Sequence, residues 1–261
     1  MKMNRVTVAL FSPTGGTRKY CTEIAKRLDG DYEILDLTRR EVREKEYHFT
    51  ADDFVIFGAP VYAGRLPKIP GGIFERVKGE QTPAAFLVSY GNREYEDALL
   101  EEKEICEANG FIGVAAGAWI APHTFSDRIA AGRPDEKDME KVEEFAAALK
   151  KVLEGGLPAK GALSVPGNHP YRDTKSMPFH PKGNKKCIDC KKCVSICPTG
   201  AISLENPKKT NTETCIDCLA CVKNCPAGAR SISGPIFRLA VSKLESNLAE
   251  RRKEPEMMFV K

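Results

Sequence analysis

The sequence predicts an α/β chain in two parts. A doubly wound, five-stranded parallel sheet is expected over residues 1–154, followed by a small α+β module organised by cysteine. Three observations carry this. Short apolar runs alternate with helical patterns up to residue 154. Eight of the ten cysteines fall after residue 186, in two runs of identical spacing. Between these regions, from Gly155, the composition turns to Gly, Pro and polar residues, as in a linker or irregular extended segment.

Strands are expected over Val6–Phe11, Tyr32–Leu37, Phe54–Ala59, Ala84–Tyr90 and Phe111–Ala118. Helices are expected over Gly16–Leu28, Gly72–Lys78, Tyr95–Ala108 and Asp135–Leu153. Tyr20, Cys21, Ile24, Ala25 and Leu28 recur at helical spacing in the first of these. Asn109-Gly110 stops the third, and Pro134-Asp135 with Asp138 starts the fourth, placing acids at its positive end. Apolar strands alternating with helices imply a sheet covered on both faces. In such sheets ligands sit beyond the strand carboxyl ends, at the topological switch point.

Three segments lie at that edge. Ser12-Pro13-Thr14-Gly15-Gly16-Thr17 follows the first strand; its glycines admit an anion to the backbone, and its hydroxyls and helix-terminal amides can donate to it. It is neither a triphosphatase loop nor G-x-G-x-x-G, so a monophosphate held without a lysine is expected. By itself the same turn is also an ordinary strand-to-helix connection. The second segment, Gly58 to Pro67, contains Pro60, Val61, Tyr62 and Gly64. The third, Ser89 to Tyr95, contains Tyr90, Gly91, Asn92 and Tyr95. Both offer aromatics and glycines where a flat ring can be stacked and met by backbone amides.

The cysteine runs are Cys187-x-x-Cys190-x-x-Cys193-x-x-x-Cys197-Pro198 and Cys215-x-x-Cys218-x-x-Cys221-x-x-x-Cys225-Pro226. This is the bacterial pattern for a [4Fe–4S] cluster, and its duplication implies two clusters. In two-cluster modules the fourth Cys of each run ligates the other cluster. Cys187, Cys190, Cys193 and Cys225 are therefore assigned to one, and Cys215, Cys218, Cys221 and Cys197 to the other. Zinc knuckles lack a third Cys at the same pitch. A disulfide framework suits a secreted chain, whereas Met1 to Arg5 lead straight into a strand rather than an apolar signal region.

The net charge of +4 conceals an asymmetry. Residues 156–261 carry 18 Lys/Arg against 9 Asp/Glu, leaving residues 1–155 acidic. That dipole suits orientation against a partner, though Lys185, Lys186, Lys191 and Lys192 also balance anionic clusters. Nucleic acid is not expected, since stacking aromatics are sparse. No apolar stretch approaches the ~20 residues of a membrane span.

Several residues have plainer readings. Cys21 and Cys106 read as buried thiols, Trp119 as core or domain interface, and the acidic run Glu94–Glu107 as a solvated helix face. His123, in the long Ala121–Arg133 connection, reads as a hydrogen-bonded loop residue; His48, His169 and His180 carry no functional expectation. Ile236, Leu239, Ala240, Leu244 and Leu248 form a stripe expected to dock a last helix on the protein.

The run Phe11 to Thr17 resembles the phosphate loop of the flavodoxin family, and the resemblance covers roughly residues 5–153. It implies FMN, with Ser12, Thr14, Gly15, Gly16 and Thr17 around the phosphate. Pro60, Val61, Tyr62 and Gly64 would flank the ring on one side, and Tyr90, Gly91, Asn92 and Tyr95 on the other. Tyr62 and Tyr95 are the stacking candidates. As a whole the chain resembles a fused flavodoxin–ferredoxin group of anaerobes, on the motifs Gly58–Pro67, Tyr90–Asp97 and Ile129–Asp135. The implied organisation is an FMN domain over 1–154, a linker over 155–183, a two-cluster ferredoxin domain over 184–232, and a docking helix and tail over 233–261.

A flavin takes up two electrons and can release them singly, while a [4Fe–4S] cluster carries one. Both in one chain form an internal wire. The leading expectation is an electron-transfer protein working between ferredoxin-like donors and acceptors in a reducing cytoplasm, with no catalytic side chain. The alternative is a flavin-dependent reductase of a small molecule, with Tyr62, Arg65 or Arg93 as protonatable groups. A homodimer is compatible with either.

Overall fold

Five parallel strands form the centre of the molecule, whose computed structural model describes residues 5–156, 158–174 and 178–260. Residues 1–4, and positions 157 and 175–177 of the expected linker, lie outside the described residues. In chain order the elements are β1 (Arg5–Leu10), α1 (Gly16–Leu28), β2 (Glu33–Asp36), α2 (Arg40–Arg43), β3 (Tyr47–Phe49), β4 (Asp53–Pro60), β5 (Val77–Gly79), β6 (Thr82–Tyr90), α3 (Ala98–Ala108), β7 (Phe111–Ile120) and α4 (Glu136–Glu154). Then follow β8 (Lys182–Gly183), α5 (Lys192–Ser195), α6 (Ala220–Lys223), β9 (Arg230–Ser231), α7 (Pro235–Leu248) and β10 (Glu256–Phe259).

The main sheet runs β10-β7-β6-β4-β1-β2, so the strand order reverses between β1 and β4. All nine residues of β6 and all ten of β7 are buried, as expected of strands covered on both faces. One core packs α1 and α4 on the sheet through Ile24, Leu87, Trp119 and Phe145. The other packs α3 through Phe57, Phe86, Leu99 and Phe111. Each such side chain contributes roughly 2–3 kcal/mol by leaving water. Asp135 caps α4 reciprocally with Asp138.

Four expectations need revision. The Gly72–Lys78 segment forms turns leading into β5, because Gly71 and Gly72 take left-handed φ values of 77° and 73°. Ile73, Phe74 and Val77 still point inward, which is the spacing that imitated a helix. The sheet gains a sixth strand, β10, antiparallel to β7, with Phe259 packed on Phe145 at 5.2 Å. The acidic run is not wholly solvated: Glu102 is fully buried without a partner among the described residues, and burial, then the charge of Glu101, raises its pKa. On α7 the half-buried or buried apolar side chains are Phe237, Val241, Leu244 and Leu248, whereas Ala240 of the expected stripe is exposed and Ile236 and Leu239 are 68% and 73% exposed.

Residues 158–174 have no regular structure but lie along the first unit. Leu163 enters its core, and the amides of Asn168 and Arg172 donate to Asp97 at 2.9 and 2.7 Å. Tyr171 bonds Glu104 and lies under the Arg65 guanidinium at 4.3 Å.

Candidate functional site

A cavity of about 320 Å³ opens at the carboxyl ends of β1, β4, β6 and β7, beside the strand-order reversal. It gathers Ser12, Thr14, Gly15, Gly16, Thr17, Pro60, Val61, Tyr62, Tyr90 and Gly91. The loop after β1 is held from within. The Ser12 amide donates to Thr38 Oγ1 at 2.7 Å, and the Ser12 hydroxyl accepts from the Arg18 amide at 3.0 Å. Thr17 Oγ1 and Ser89 Oγ lie 2.7 Å apart, tying this loop to the end of β6. A Cβ on Gly16 would come within 2.9 Å of the Ala121 Cβ, so the backbone here approaches the facing loop as only glycine allows. Lys19 also lines the cavity, with Nζ 3.4 Å from the Pro134 carbonyl.

Tyr62 is presented by a two-residue turn. Its amide donates to the Arg65 carbonyl at 2.9 Å, the Arg65 amide returns a bond at 3.2 Å, and Ala63 and Gly64 between them take positive φ. Gly64 is outside the cavity, against Glu96 and Arg172. Asn92 and Tyr95 are outside it too. Asn92 donates to the Leu248 and Arg251 carbonyls, and Tyr95 donates to Glu256 at 2.5 Å, so both secure the C-terminal strand. The sequence could not separate these roles, since the strand they hold was itself unexpected. Arg65 and Arg93 are engaged by Glu101 and Glu96.

Pro122, His123, Thr124, Arg133 and Pro134 close the remaining side. His123 Nδ1 accepts from the Phe125 amide at 3.1 Å, which leaves the neutral ring's proton on Nε2. Burial, then the charges of Arg93 and Lys223, push its pKa down to about 4. Arg133 is buried in a two-point pair with Asp138. Trp119 is core, stacked on Tyr20 at 5.0 Å, and Cys21 and Cys106 are buried thiols.

The remaining cysteines line two small cavities. Cys187, Cys190, Cys193 and Cys225 surround one, and Cys197, Cys215, Cys218 and Cys221 the other. The two loops repeat one backbone. Asp189 and Lys191 in the first, Asp217 and Leu219 in the second, all take φ between 53° and 59°. Left-handed turns at non-glycine positions are sparse, and here they wind each loop around its sulfurs. The amides of Ala201 and Ala229 donate to Cys197 and Cys225 Sγ at 3.3 and 3.2 Å, as thiolate ligands require.

Two families match the chain. Residues 7–104 match the flavodoxin domain, and residues 176–230 match the 4Fe-4S dicluster domain. The chain joins an N-terminal flavodoxin-like domain to a C-terminal 4Fe-4S dicluster, ferredoxin-type domain. Similar solved structures include oxidised flavodoxin 1 from Bacillus cereus, 16% identical, covering 57% of this chain and 98% of that one with a TM-score of 0.39. A flavodoxin from Streptococcus pneumoniae TIGR4 is likewise 16% identical, covering 56% and 97%, with a TM-score of 0.40.

A flavodoxin domain implies FMN and a dicluster domain implies [4Fe–4S] clusters; the architecture is consistent with an electron-transfer flavoprotein, of a composition typical of carriers rather than enzymes. The residues fit both groups. Helix-terminal amides and a glycine loop adjoin apolar walls and two tyrosines, and each small cavity offers four sulfurs. Among the described residues no helix is long and apolar enough to cross a membrane.

The flavodoxin-like and dicluster domains meet at the second cysteine loop and at the end of the first. Lys223 of α6 lines the flavodoxin cavity. The Tyr62 hydroxyl is pushed well above the usual phenol range by burial first, and then by Cys218, Asp217 and Cys215. Arg43 donates to the Pro198 carbonyl at 2.7 Å, and Ile216 packs against the flavodoxin core. His180 Nδ1 is 2.8 Å from Asp217.

Proposed function

We propose that this chain is an internal electron relay, in the order flavin cleft, second cysteine cage, first cysteine cage, partner protein. One observation carries the reading: Lys223, between Cys221 and Cys225 of the second run, lines the cleft together with Tyr62. FMN bound there supplies two-electron uptake with single-electron release, matched to one-electron clusters.

In this reading Ser12, Thr14, Gly15, Gly16 and Thr17 hold the phosphate, and Pro60, Val61, Tyr62, Tyr90 and Gly91 hold the ring. Cys197, Cys215, Cys218 and Cys221 hold the inner cluster, and Cys187, Cys190, Cys193 and Cys225 the outer. His123, neutral at physiological pH, keeps a hydrogen-bond donor at Nε2 beside the cleft. The outer cage meets the partner. Cys190 is exposed, Ile188 is 66% exposed, and Lys185, Lys186 and Lys192 stand around them, which favours an acidic redox protein. Thiolates that must stay reduced to ligate clusters belong in a reducing cytoplasm.

The test compares anaerobic Cys218→Ser and Cys190→Ser proteins, following the flavin by absorbance and the surviving cluster by EPR after a reductive pulse. Cys218→Ser is expected to slow equilibration between flavin and the surviving cluster at least tenfold, and Cys190→Ser to leave it fast. Equal slowing in both would reject the order.

A further inference from the structure

Arg230 is a buried cation with no anion of its own. Its side chain is almost inaccessible, at 3% exposure for the residue. Nη1 donates to the Pro207 carbonyl, and Nη2 donates to the Pro181 carbonyl at 2.9 Å and to Thr210 Oγ1. All three acceptors are neutral. Among the described residues, no carboxylate lies within ion-pair distance of it and Nε has no partner. Buried Arg133, by contrast, has Asp138. A buried guanidinium without a counter-charge is strongly unfavourable, so an anion belongs beside it.

Its place says which. Arg230 and its acceptor Pro207 line the cage of Cys187, Cys190, Cys193 and Cys225. Its other acceptors, Pro181 and Thr210, line the cage of Cys197, Cys215, Cys218 and Cys221. Its charge reaches Cys193 and Cys225 on one side and Cys221 on the other. The internal repeat adds an independent point. Ile202 follows Cys197-Pro-Thr-Gly-Ala where Arg230 follows Cys225-Pro-Ala-Gly-Ala, and Ile202 is buried as well. The repeated backbone therefore accepts an aliphatic side chain here, and the arginine departs from the pattern.

We propose that Arg230 is the shared counter-cation of the two clusters, raising both reduction potentials together. The proposal rests on the two-cluster reading above. Reduction of either cluster adds one electron and one negative charge, with no bond or proton exchanged, and a fixed cation between the cages favours both additions.

The experiment prepares wild-type, Arg230→Gln and Arg230→Lys proteins anaerobically, measures iron and acid-labile sulfide, and titrates both clusters with dithionite under EPR. Glutamine keeps donors for the carbonyls but not the charge; lysine keeps the charge. In Arg230→Gln both potentials are expected to fall, each reduction constant dropping about tenfold, or about 59 mV for one electron. Arg230→Lys is expected to stay within a third of that shift. If Arg230→Gln holds no clusters, uptake of both by Arg230→Lys supports the proposal and failure of both variants overturns it. Unmoved potentials in Arg230→Gln, movement of one cluster only, or an equal fall in Arg230→Lys also overturn it. Wild-type protein short of two clusters would instead remove the underlying reading.

Discussion

Residues 187–202 and 215–230 wind the same loop around three of their own sulfurs and one from the other run, yet their surroundings are opposite. Ile188 is 66% exposed, whereas Ile216, at the same place in the repeat, packs against the flavodoxin core. Cys190 is exposed and its counterpart Cys218 is buried. Lys191 and Lys192 become Leu219 and Ala220, and Ser195 becomes Lys223, which reaches the cleft. Asp189 pairs with Lys191, while Asp217 pairs with His180. A duplicated motif thus yields one covered site and one open to solvent. The backbone is common because cluster ligation dictates it, and the faces differ because the flavodoxin-like domain packs on the cysteine loop of the second repeat but meets the first at its far end, where Arg43 holds the Pro198 carbonyl.

Exchange of the fourth ligand is the sharpest way to break this comparison. Cys197→Ser, though it lies in the first run, should damage the cluster of the second and cut bound iron from about eight to about four. Iron analysis with EPR checks it, and loss confined to the Cys187–Cys193 cluster would overturn the interleaved assignment.

A smaller effect separates the two isoleucines. Ile216→Asp places a charge against the flavodoxin core and should destabilise the protein by about 2 kcal/mol. Ile188→Asp should change stability by less than about 0.5 kcal/mol. Thermal melts of the anaerobic holoproteins measure both, and equal shifts would erase the distinction between covered and open repeats.

The smallest effect concerns Lys223 and the histidine it faces. His123 has its folded pKa lowered to about 4 from an ordinary 6.5, so the unfolded chain binds its proton first. Its contribution is a loss of stability that begins as pH falls below about 6.5 and is complete below about 4, on the order of 2 kcal/mol after solvent screening. Lys223→Ala removes one of the opposing charges and should raise the pKa by a few tenths, flattening the stability slope between pH 4 and 6.5. Denaturation midpoints across that range test it, and an unchanged slope would show that Lys223 does not act on His123.

Much was legible from residues alone, and local causes explain why. The eight-cysteine spacing, the Ser12–Thr17 turn, the span of α1 and the Asp135 cap of α4 rest on interactions within a few residues, which leave a pattern in sequence. Other features rest on contacts between distant segments. Glu256–Phe259 has too few residues to announce a strand, and becomes one only because the edge of β7 is free and Asn92, Glu94 and Tyr95 hold the approach. Ile236 and Leu239 carry the same helical spacing as buried residues, yet the docking of Phe237 on Phe125 turns them outward.

The sequence by itself determined the two cysteine loops, the alternating sheet and the glycine-rich turn, because each is encoded in neighbouring residues. Only the tertiary structure decided that Lys223 of the second run enters the cleft, that the first cage stays open, and that Arg230 lies between the cages. Those are relations between surfaces, and the packing that creates them has no period along the chain.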